Sequence, residues 1–372
     1  MTRSARVQRP LRIAQVAPVA TSIPPIKSGS IETMTALLSD GLVSRGHQVT
    51  LFATGNSVTK ASLYASYPRG YTEDDSLWPW ELCELFNVAA AVERAAAFDV
   101  IHCQAEYYPM SLAYSRVCST TLLHTLHHSP TEPEIDLWSR YPEAPFVAVS
   151  DHQRRLLNGL NVVATIHHAI DTDAFAFRAD PEDYLLFLGR FTPGKGVIEA
   201  IETARRTGMR LLLAAAENEY YREVVAPLVN EHDVVFVGEV DRHAAARLLA
   251  GARGLIYPVQ TAEPFGLVLA EAASCGTPVA ALNRGAVREI VEDGVTGGLF
   301  DSLDALIAGL SRVLSLDRQR VRARAVQRFG VDRMVDDYLA VYERLVSNRR
   351  SNRFQNSRRA RLYAAPGFSP GT

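Results

Sequence analysis

The sequence of 372 residues has few cysteines and none of the spacings that usually give a cysteine a structural task. The four cysteines lie far apart and form no C-x-x-C pair: Cys83, Cys103, Cys118 and Cys275. Such spacing fits neither a disulfide framework nor a structural zinc site. We therefore expect a reducing compartment, and a cytoplasmic location.

Long apolar runs are also missing. The stretch after the N-terminal arginines is interrupted by Arg12 and Gln15, so it predicts neither a secretory signal nor a membrane span. It is more typical of a first buried strand.

Acidic residues are absent from the segment 347–372, which contains six arginines, whereas the whole chain has a net charge of -2. A polar segment of one charge sign predicts a disordered tail. Weak association of this tail with anionic lipid at the inner face of the membrane stays open as an alternative. No nucleic-acid partner is predicted.

The whole chain has the composition of a soluble globular protein, with 47% hydrophobic and 22% charged residues, and is longer than one core usually fills. Short β-rich runs alternate with segments of helical spacing, which predicts an α/β fold with doubly wound parallel sheets. The alternation restarts after the segment 169–183, which contains a proline and several Asp residues. We expect two Rossmann-like domains facing a cleft, at 1–170 and 171–346, with the last helix packing back on the first domain.

The second domain begins with a candidate anion site. The predicted strand YLLFLG leads into GRFTPGKG, which brings Arg190 and Lys195 together with flexible backbone before a helix. The spacing is close to an ATP-binding P-loop, but Gly196 stands where that motif requires a magnesium-binding hydroxyl. An ATPase is therefore not predicted, and a simple tight turn with solvated cations remains the alternative.

Two carboxylates follow later, Glu263 before a predicted helix and Glu271 within it, with seven residues between them. Helical spacing puts Glu271 near the apolar stripe that faces the sheet. A carboxylate there needs partners, and the hydroxyls of a sugar or ribose are suitable ones. Either glutamate could instead pair with a neighbouring arginine.

These fragments together resemble the retaining GT-B glycosyltransferases of family 4, the glycosyl transferases group 1. The resemblance runs to about Val346 and is carried by the Glu263–Glu271 motif, the following CGTPVAALNRGAVREIVEDGVTGGLF, the GRFTPGKG loop and the N-terminal RIAQVAPVATSIPPIKSGSIE. It implies transfer of a sugar from a nucleotide-diphosphate donor with retention of anomeric configuration. A UDP-sugar is expected in preference to a GDP- or ADP-sugar, and the acceptor is a sugar, a lipid-linked molecule or another small molecule.

The resemblance also implies roles for individual residues. Arg190 and Lys195 would neutralise the diphosphate leaving group, Glu263 would contact the transferred sugar, and Glu271 would bind the ribose. The resemblance also implies a catalytic role for His127, which follows the predicted strand TTLLHTL. The donor-binding set comprises Gly29, Arg190, Lys195, Glu263, Phe265, Gly266, Leu267 and Glu271.

Two positions depart from the family pattern. Ser30 replaces the second glycine of the N-terminal glycine loop, and Ala169 replaces a glycine at the start of the second domain. They leave open a catalytically silent subunit that only binds a nucleotide-sugar. An epimerase or a phosphorylase on the same fold also stays open, whereas an NAD-dependent oxidoreductase is disfavoured because no G-x-G-x-x-G follows either first strand.

No metal or cofactor is predicted. Asp171 and Asp173 spell D-x-D, but at a domain junction this pattern is more typical of a turn and helix cap. His124, His127 and His128 lack the spacing of a metal motif. His124 is better explained as a packing residue, and His128 as a loop residue.

Overall fold

The computed structural model describes residues 9–27, 29–105, 108–230 and 232–363. Two parallel sheets form the chain, each flanked by helices on both faces. The division between them falls after β7, and the predicted α/β class with two Rossmann-like domains is confirmed.

The first sheet has seven strands in the order β3-β2-β1-β4-β5-β6-β7, and every pair is parallel. Its strands are β1 Arg12–Val16, β2 Gln48–Ala53, β3 Ser62–Ala65, β4 Val100–Cys103, β5 Thr121–Leu126, β6 Phe146–Ala148 and β7 Val162–Thr165. The helices between them are α1 Ser30–Ser44, α2 Trp80–Glu93, α3 Tyr108–Val117, α4 Glu132–Trp138 and α5 Asp151–Leu156. A single 3-10 turn, Ala95–Ala97, precedes β4.

The second sheet has six parallel strands in the order β10-β9-β8-β11-β12-β13. These are β8 Leu185–Leu188, β9 Leu211–Ala214, β10 Val234–Gly238, β11 Gly254–Tyr257, β12 Val279–Leu282 and β13 Gly297–Phe300. Helices α6 Val197–Thr207, α7 Arg242–Gly251, α8 Leu267–Ser274, α9 Val287–Ile290, α10 Leu303–Leu314, α11 Arg318–Phe329 and α12 Val331–Tyr363 complete the chain. Short irregular helical turns occur at Pro193–Lys195, Tyr221–Val225 and Ala226–Leu228.

The central strands are covered on both faces, which explains their sequences. All four residues of β4, β11 and β12 are buried, and β11 and β12 are continuous apolar runs in the sequence. Because a parallel sheet leaves loops at its carboxyl edge, the segments after β1, β5, β8 and β11 are where ligands are expected.

The last helix returns to the first domain. Met334, Val335 and Tyr338 of α12 belong to the core that also contains Ile13 and Leu38. An added Cβ on Gly41 would lie 2.4 Å from Val335 Cγ2, so α1 and α12 approach closely there. The chain therefore crosses between the domains twice, and the crossings are joined by a backbone bridge between Ile170 and Gly330.

Helix α12 continues to Tyr363, and this corrects part of the predicted tail. Residues 347–363 are helical where their polar composition predicted irregular backbone, and the high helix propensity of arginine is consistent with this. Residues 364–372 lie outside the described part of the chain. Within the described ranges, none of the helices has both the length and the apolar character needed to cross a bilayer.

Candidate active site

The loop that carries Lys195 is shaped by Gly196. This glycine has φ +75°, and an added Cβ would lie 2.0 Å from the carbonyl oxygen of Pro258. Only glycine fits such a close approach of two backbones in this conformation. The loop after β8 is thereby held against the loop after β11, and Lys195 projects at the start of α6.

Lys195 meets the first of the two glutamates. Its Nζ lies 2.5 Å from Glu263 Oε2, and the two side chains are only 23% and 9% exposed. Tyr257, the last residue of β11, donates its hydroxyl to the same oxygen at 2.6 Å. Burial and the neighbouring Glu263 raise the pKa of Tyr257 well above its ordinary value, so the phenol stays protonated and donates.

Backbone contacts hold Glu263 in this place. The backbone of Glu263 forms an isolated parallel β-bridge with Gly285. The backbone carbonyl of Glu263 accepts a hydrogen bond from the N–H of Ala286 at 2.8 Å. An added Cβ on Gly285 would lie 2.4 Å from the backbone nitrogen of Glu263. The loops after β11 and β12 are therefore locked together beneath the carboxylate.

Arg190 is the second cation of the loop, and it is exposed. Among the contacts of the described residues, no carboxylate forms an ion pair with it. Arg190 lies close enough to Tyr257 to lower that phenol's pKa slightly, against the larger effects of burial and Glu263. The site thus combines a cation paired with Glu263 and a cation available to an anionic ligand.

Glu271 lies one helical turn inside α8 and is partly exposed. Burial raises the pKa of its carboxyl to about 7, and Arg242 offsets part of this rise. The described contacts include no hydrogen bond to the Glu271 carboxylate and no direct contact between Glu271 and Lys195. The predicted position of Glu271 near the apolar stripe of the helix stays a prediction, and Arg242 is the arginine that acts on its carboxyl, at long range.

The turn between the glutamates brings the backbone to the start of α8. Phe265 is buried in the domain core, and Gly266 has φ +90° immediately before Leu267, the first helical residue. An added Cβ on Gly266 would lie 2.9 Å from Leu269 Cδ1. This crowded left-handed position explains why a glycine occupies it.

His127 follows β5 and connects to both domains. Its Nε2 lies 2.9 Å from Gln104 Oε1, and its ring stacks on His168 with the centroids 5.2 Å apart. His168 in turn packs edge-on against Phe265, at 4.9 Å. The structure therefore brings His127 toward the second domain through a residue that the sequence analysis did not single out.

Burial, together with a smaller effect of the nearby His128, lowers the pKa of His127 to about 3. His127 is consequently neutral at physiological pH. The other two histidines have separate partners: His124 Nε2 lies 2.9 Å from Ser111 Oγ, and His128 Nε2 lies 3.0 Å from Glu134 Oε1. The three rings therefore do not converge on one point.

Gly29 stands immediately before α1 and has an extended backbone with φ 170°. Its need for glycine is steric, since an added Cβ would lie 2.7 Å from Glu32 Oε2 and 2.9 Å from Pro25 Cγ. The nearby Lys27 reaches the second domain, with its Nζ 2.6 Å from Glu239 Oε2. Within the described contacts, Gly29 itself touches none of the candidate residues of that domain.

The D-x-D segment forms a turn. Asp171 Oδ1 accepts hydrogen bonds from the backbone N–H groups of Asp173 and Ala174 at 3.3 and 3.4 Å, and Oδ2 lies 3.6 Å from Arg242. Across the residues described, no three His, Cys, Asp or Glu side chains are grouped as metal ligands.

Tyr257, Gln104 and His168 are the site residues that sequence reasoning missed. Tyr257 ends a strand whose carboxyl edge was expected to hold ligands, which is the signal that could have identified it. The pairing of Lys195 with Glu263 was also missed, because the two residues are 68 positions apart.

Two family models cover most of the chain in succession. Residues 170–328 match the model "Glycosyl transferases group 1", and residues 31–174 match "Glycosyltransferase Family 4". Their boundary coincides with the crossing between the two sheets.

Curated relatives match over similar spans. The phosphatidyl-myo-inositol mannosyltransferase of Mycobacterium tuberculosis strain H37Rv is 26% identical over 90% of this chain and 97% of its own length. The D-inositol 3-phosphate glycosyltransferase of Mycobacterium avium is 29% identical over 72% of this chain and 75% of its own.

Solved structures share the architecture. AviGT4, a glycosyltransferase involved in avilamycin A biosynthesis, has a TM-score of 0.70 and 26% identity, covering 91% of this chain and 98% of its own. Anabaena HepE, solved with UDP and glucose, has a TM-score of 0.68 at 18% identity, covering 90% and 99%. With the two parallel sheets and the successive family matches, the chain belongs to the family 4 glycosyltransferases and has the GT-B fold.

Proposed function

We propose that this enzyme transfers a hexosyl group from a UDP-sugar to an acceptor hydroxyl with retention of configuration and without a metal ion. The observation that carries the proposal is the ion pair between Lys195 and Glu263, formed by the loops after β8 and β11, with the exposed Arg190 on the same loop as Lys195. The bond between the anomeric carbon and the diphosphate oxygen breaks, and a bond from that carbon to the acceptor oxygen forms. The acceptor hydroxyl passes its proton to the departing diphosphate oxygen, and the nucleoside diphosphate leaves with the electron pair of the broken bond.

The leaving group is where the two cations act. Arg190 is exposed and available to the diphosphate. The ammonium of Lys195, which is paired with Glu263, can donate a further hydrogen bond to the diphosphate. Positioned cations stabilise charge that develops on a leaving oxygen, and the N-terminus of α6 contributes partial positive charge. This is the chemistry by which the site would replace a metal.

Carboxylates would hold the hydroxyls of the donor. Glu271, which has no hydrogen bond among the described contacts, is assigned to the ribose, and Glu263 to the transferred sugar. The backbone N–H groups of Phe265, Gly266 and Leu267 would border the phosphates, while the side chain of Phe265 stays in the domain core. Retention and the preference for UDP follow from the family resemblance, and the UDP complexes of the HepE structure are consistent with the latter.

The acceptor surface is assigned to the segment from Ser57 to Trp80. This segment lies over the loop after β1, where Tyr71 N donates to the carbonyl of Val19 and Thr72 N donates to that of Ala20. The rings of Tyr71 and Trp80 are 6.0 Å apart, and Trp78 is 75% exposed. Aromatic faces bind sugar rings, so we propose a polyhydroxylated acceptor.

The names of the curated relatives include inositol acceptors. Here the aromatic segment also carries three adjacent acids at 73–75, which disfavour a phosphate group on the acceptor. A cytoplasmic location, with weak contact of the arginine-rich end at the inner membrane face, is part of the same proposal.

A panel of nucleotide-sugars tests the donor site. Thermal stabilisation and nucleotide release are measured for the unaltered protein, Lys195→Ala and Glu271→Ala. Arg253→Ala is the matched control, since Arg253 pairs with Asp183 at the start of β8, at the opposite edge of the sheet. We expect one donor, a UDP-sugar, to stabilise the protein and the control, and to lose at least tenfold in affinity in both site variants.

Other outcomes separate the alternatives. Binding without nucleotide release, whatever acceptor is added, would indicate a silent subunit. Conversion of the donor sugar would indicate an epimerase, and release of sugar-1-phosphate that requires inorganic phosphate would indicate a phosphorylase. The anomeric configuration of the product, read by NMR, tests retention.

A further inference from the structure

A buried hydrogen-bonded chain runs from His127 through the first sheet to α12. Gln104 Oε1 lies 2.9 Å from His127 Nε2, and Gln104 Nε2 lies 3.2 Å from both Gln15 Oε1 and His102 Nδ1. Gln15 Nε2 donates to the Tyr342 hydroxyl at 2.9 Å. Both polar atoms of the buried Gln104 amide are thus hydrogen-bonded.

The directions of these bonds are mutually consistent. Because Gln15 donates to Tyr342, the Tyr342 hydroxyl is free to donate to His102 Nδ1, at 2.7 Å. His102 Nδ1 therefore accepts, and its Nε2 donates to Thr125 Oγ1 at 2.7 Å. Burial keeps His102 neutral, with its pKa well below the ordinary value, so it has one N–H to place.

The orientation of the Gln104 amide determines which nitrogen of His127 carries its hydrogen. Gln104 presents its oxygen to Nε2, so Nε2 must donate. His127 Nδ1 is buried and has no hydrogen-bond partner. Reversing every bond would put the hydrogen on Nδ1 and leave a buried N–H without an acceptor, which is rarer and more costly than an unfilled lone pair.

We propose that Gln104 is a positioning residue that fixes the neutral ring of His127 as the Nε2–H tautomer, with its lone pair on the buried Nδ1. This role rests on the proposed function in one respect, that the substrate bound beside this ring is a sugar. The tautomer itself follows from the bonds of Gln104. His168 stacks on the ring, so the hydrogen bond to Gln104 and this stacking together hold the ring in one orientation.

The test reads the tautomer directly by long-range 1H–15N NMR on protein labelled with 15N-histidine, with the His127 signals assigned by His127→Asn. We expect the unaltered protein to show hydrogen on Nε2. In Gln104→Met, which keeps the length but removes the acceptor, we expect a mixture of tautomers and about a tenfold fall in kcat with little change in KM for the donor. Gln104→Glu keeps an oxygen facing Nε2 and should restore the single tautomer.

Tyr342→Phe is the matched control, because it breaks the same buried chain without touching Gln104 or His127. It should lower the melting temperature and leave the His127 tautomer unchanged. Hydrogen on Nδ1 in the unaltered protein, or an unchanged tautomer in Gln104→Met with folding intact, would overturn the proposal. Both of these outcomes are read from the NMR spectrum of the resting protein and need no turnover. Absence of glycosyl transfer would therefore count against the proposed function alone.

Discussion

The ammonium of Lys195 and the carboxylate of Glu263 are 2.5 Å apart, so the protein itself supplies a counter-ion where we propose that a diphosphate binds. Tyr257 donates to the same carboxylate and fixes its orientation. Lys195 and Glu263, which have separate predicted roles, therefore act as one ion pair. A substitution of either residue leaves the charge of the other without its counter-ion.

This ion pair predicts strong coupling between Lys195→Met and Glu263→Gln. Each single change should lower the free energy of unfolding by about 1–3 kcal/mol, because it leaves a poorly solvated partner. The double variant should lose less than the sum by about 1–2 kcal/mol. Urea denaturation of the four proteins measures this, and additive losses would show that the pair is not coupled.

In turnover, Lys195→Met should lower kcat by about a hundredfold or more, since it removes a cation from the leaving group. Arg253→Met, at a solvated ion pair on the opposite edge, is the control and should leave kcat unchanged. A normal kcat in Lys195→Met would argue against electrostatic assistance by this residue.

Glu271 predicts a dependence of stability on pH. Its folded-state pKa of about 7 lies above the ordinary 4.5, so the fold favours the protonated carboxyl. The contribution of Glu271 to the free energy of unfolding is fully present below pH 4.5 and is lost as pH rises through 7. The difference between these two limits is at most about 3 kcal/mol. The free energy of unfolding is measured at pH 5 and pH 8 for the unaltered protein and for Glu271→Gln. The part of the difference between the two pH values that comes from Glu271 should be missing in the variant.

Donor binding should have the opposite dependence on pH. An ionised Glu271 can accept two ribose hydroxyls, so affinity for the nucleoside diphosphate should rise with pH and level off above 7. Below 7 the contribution of this group falls by up to about tenfold per pH unit. Calorimetry on the unaltered protein and on Glu271→Gln checks this, and equal pH profiles would remove Glu271 from the ribose site.

Gly196 predicts a steric effect that can be separated from backbone strain. Gly196→Ala should cost about 2–4 kcal/mol, because its Cβ would meet the Pro258 carbonyl as well as the left-handed backbone. Gly208→Ala is the control at φ +66° with nothing within 4 Å, and should cost about 1 kcal/mol. Equal losses would mean that the loop moves freely away from Pro258.

Glu289 joins the two domains through hydrogen bonds, so we expect its substitution to lower the stability of the contact between them. From α9 it accepts the backbone N–H groups of Asp151 and His152, both at 2.7 Å, and lies 3.0 Å from His167 Nε2. Burial opposes ionisation, but these hydrogen bonds outweigh it and lower the pKa of the Glu289 carboxyl. Its stabilisation is therefore present above the ordinary carboxyl pKa and is lost as pH falls through the depressed value.

Glu289→Ala should cost about 2 kcal/mol near neutral pH, because the start of α5 loses its acceptor. Glu292→Ala removes a neighbouring carboxylate that pairs with Arg324 within the second domain, and should cost under 1 kcal/mol. Chemical denaturation compares the two variants, and a similar small loss in both would show that Glu289 does not join the domains.

Much of the fold was predictable because its signals are local. Apolar runs such as those of β11 and β12 indicate strands buried on both faces, and their regular return indicates parallel sheets. The helical backbone of 347–363 was not predicted, since the polar composition there suggests disorder while residue propensity favours helix.

The candidate site was predictable to the extent that its residues stand in short motifs. Arg190, Lys195, Glu263 and Glu271 were found from two loops and from family resemblance. Gln104 and His168 stand in no such motif, and their importance comes from contacts with His127 across other strands.

Motifs and spacing along the chain were enough to predict the alternation of strands and helices, the places where glycine permits tight loops, and the family. The pairing of Lys195 with Glu263, the pKa of about 7 of the Glu271 carboxyl and the contact of Gln104 with His127 became visible only in the folded chain. Secondary structure follows from spacing between residues that are near one another in the sequence. Pairing, burial and hydrogen-bond direction depend on groups brought together from distant positions, and these set the charge and protonation of the site.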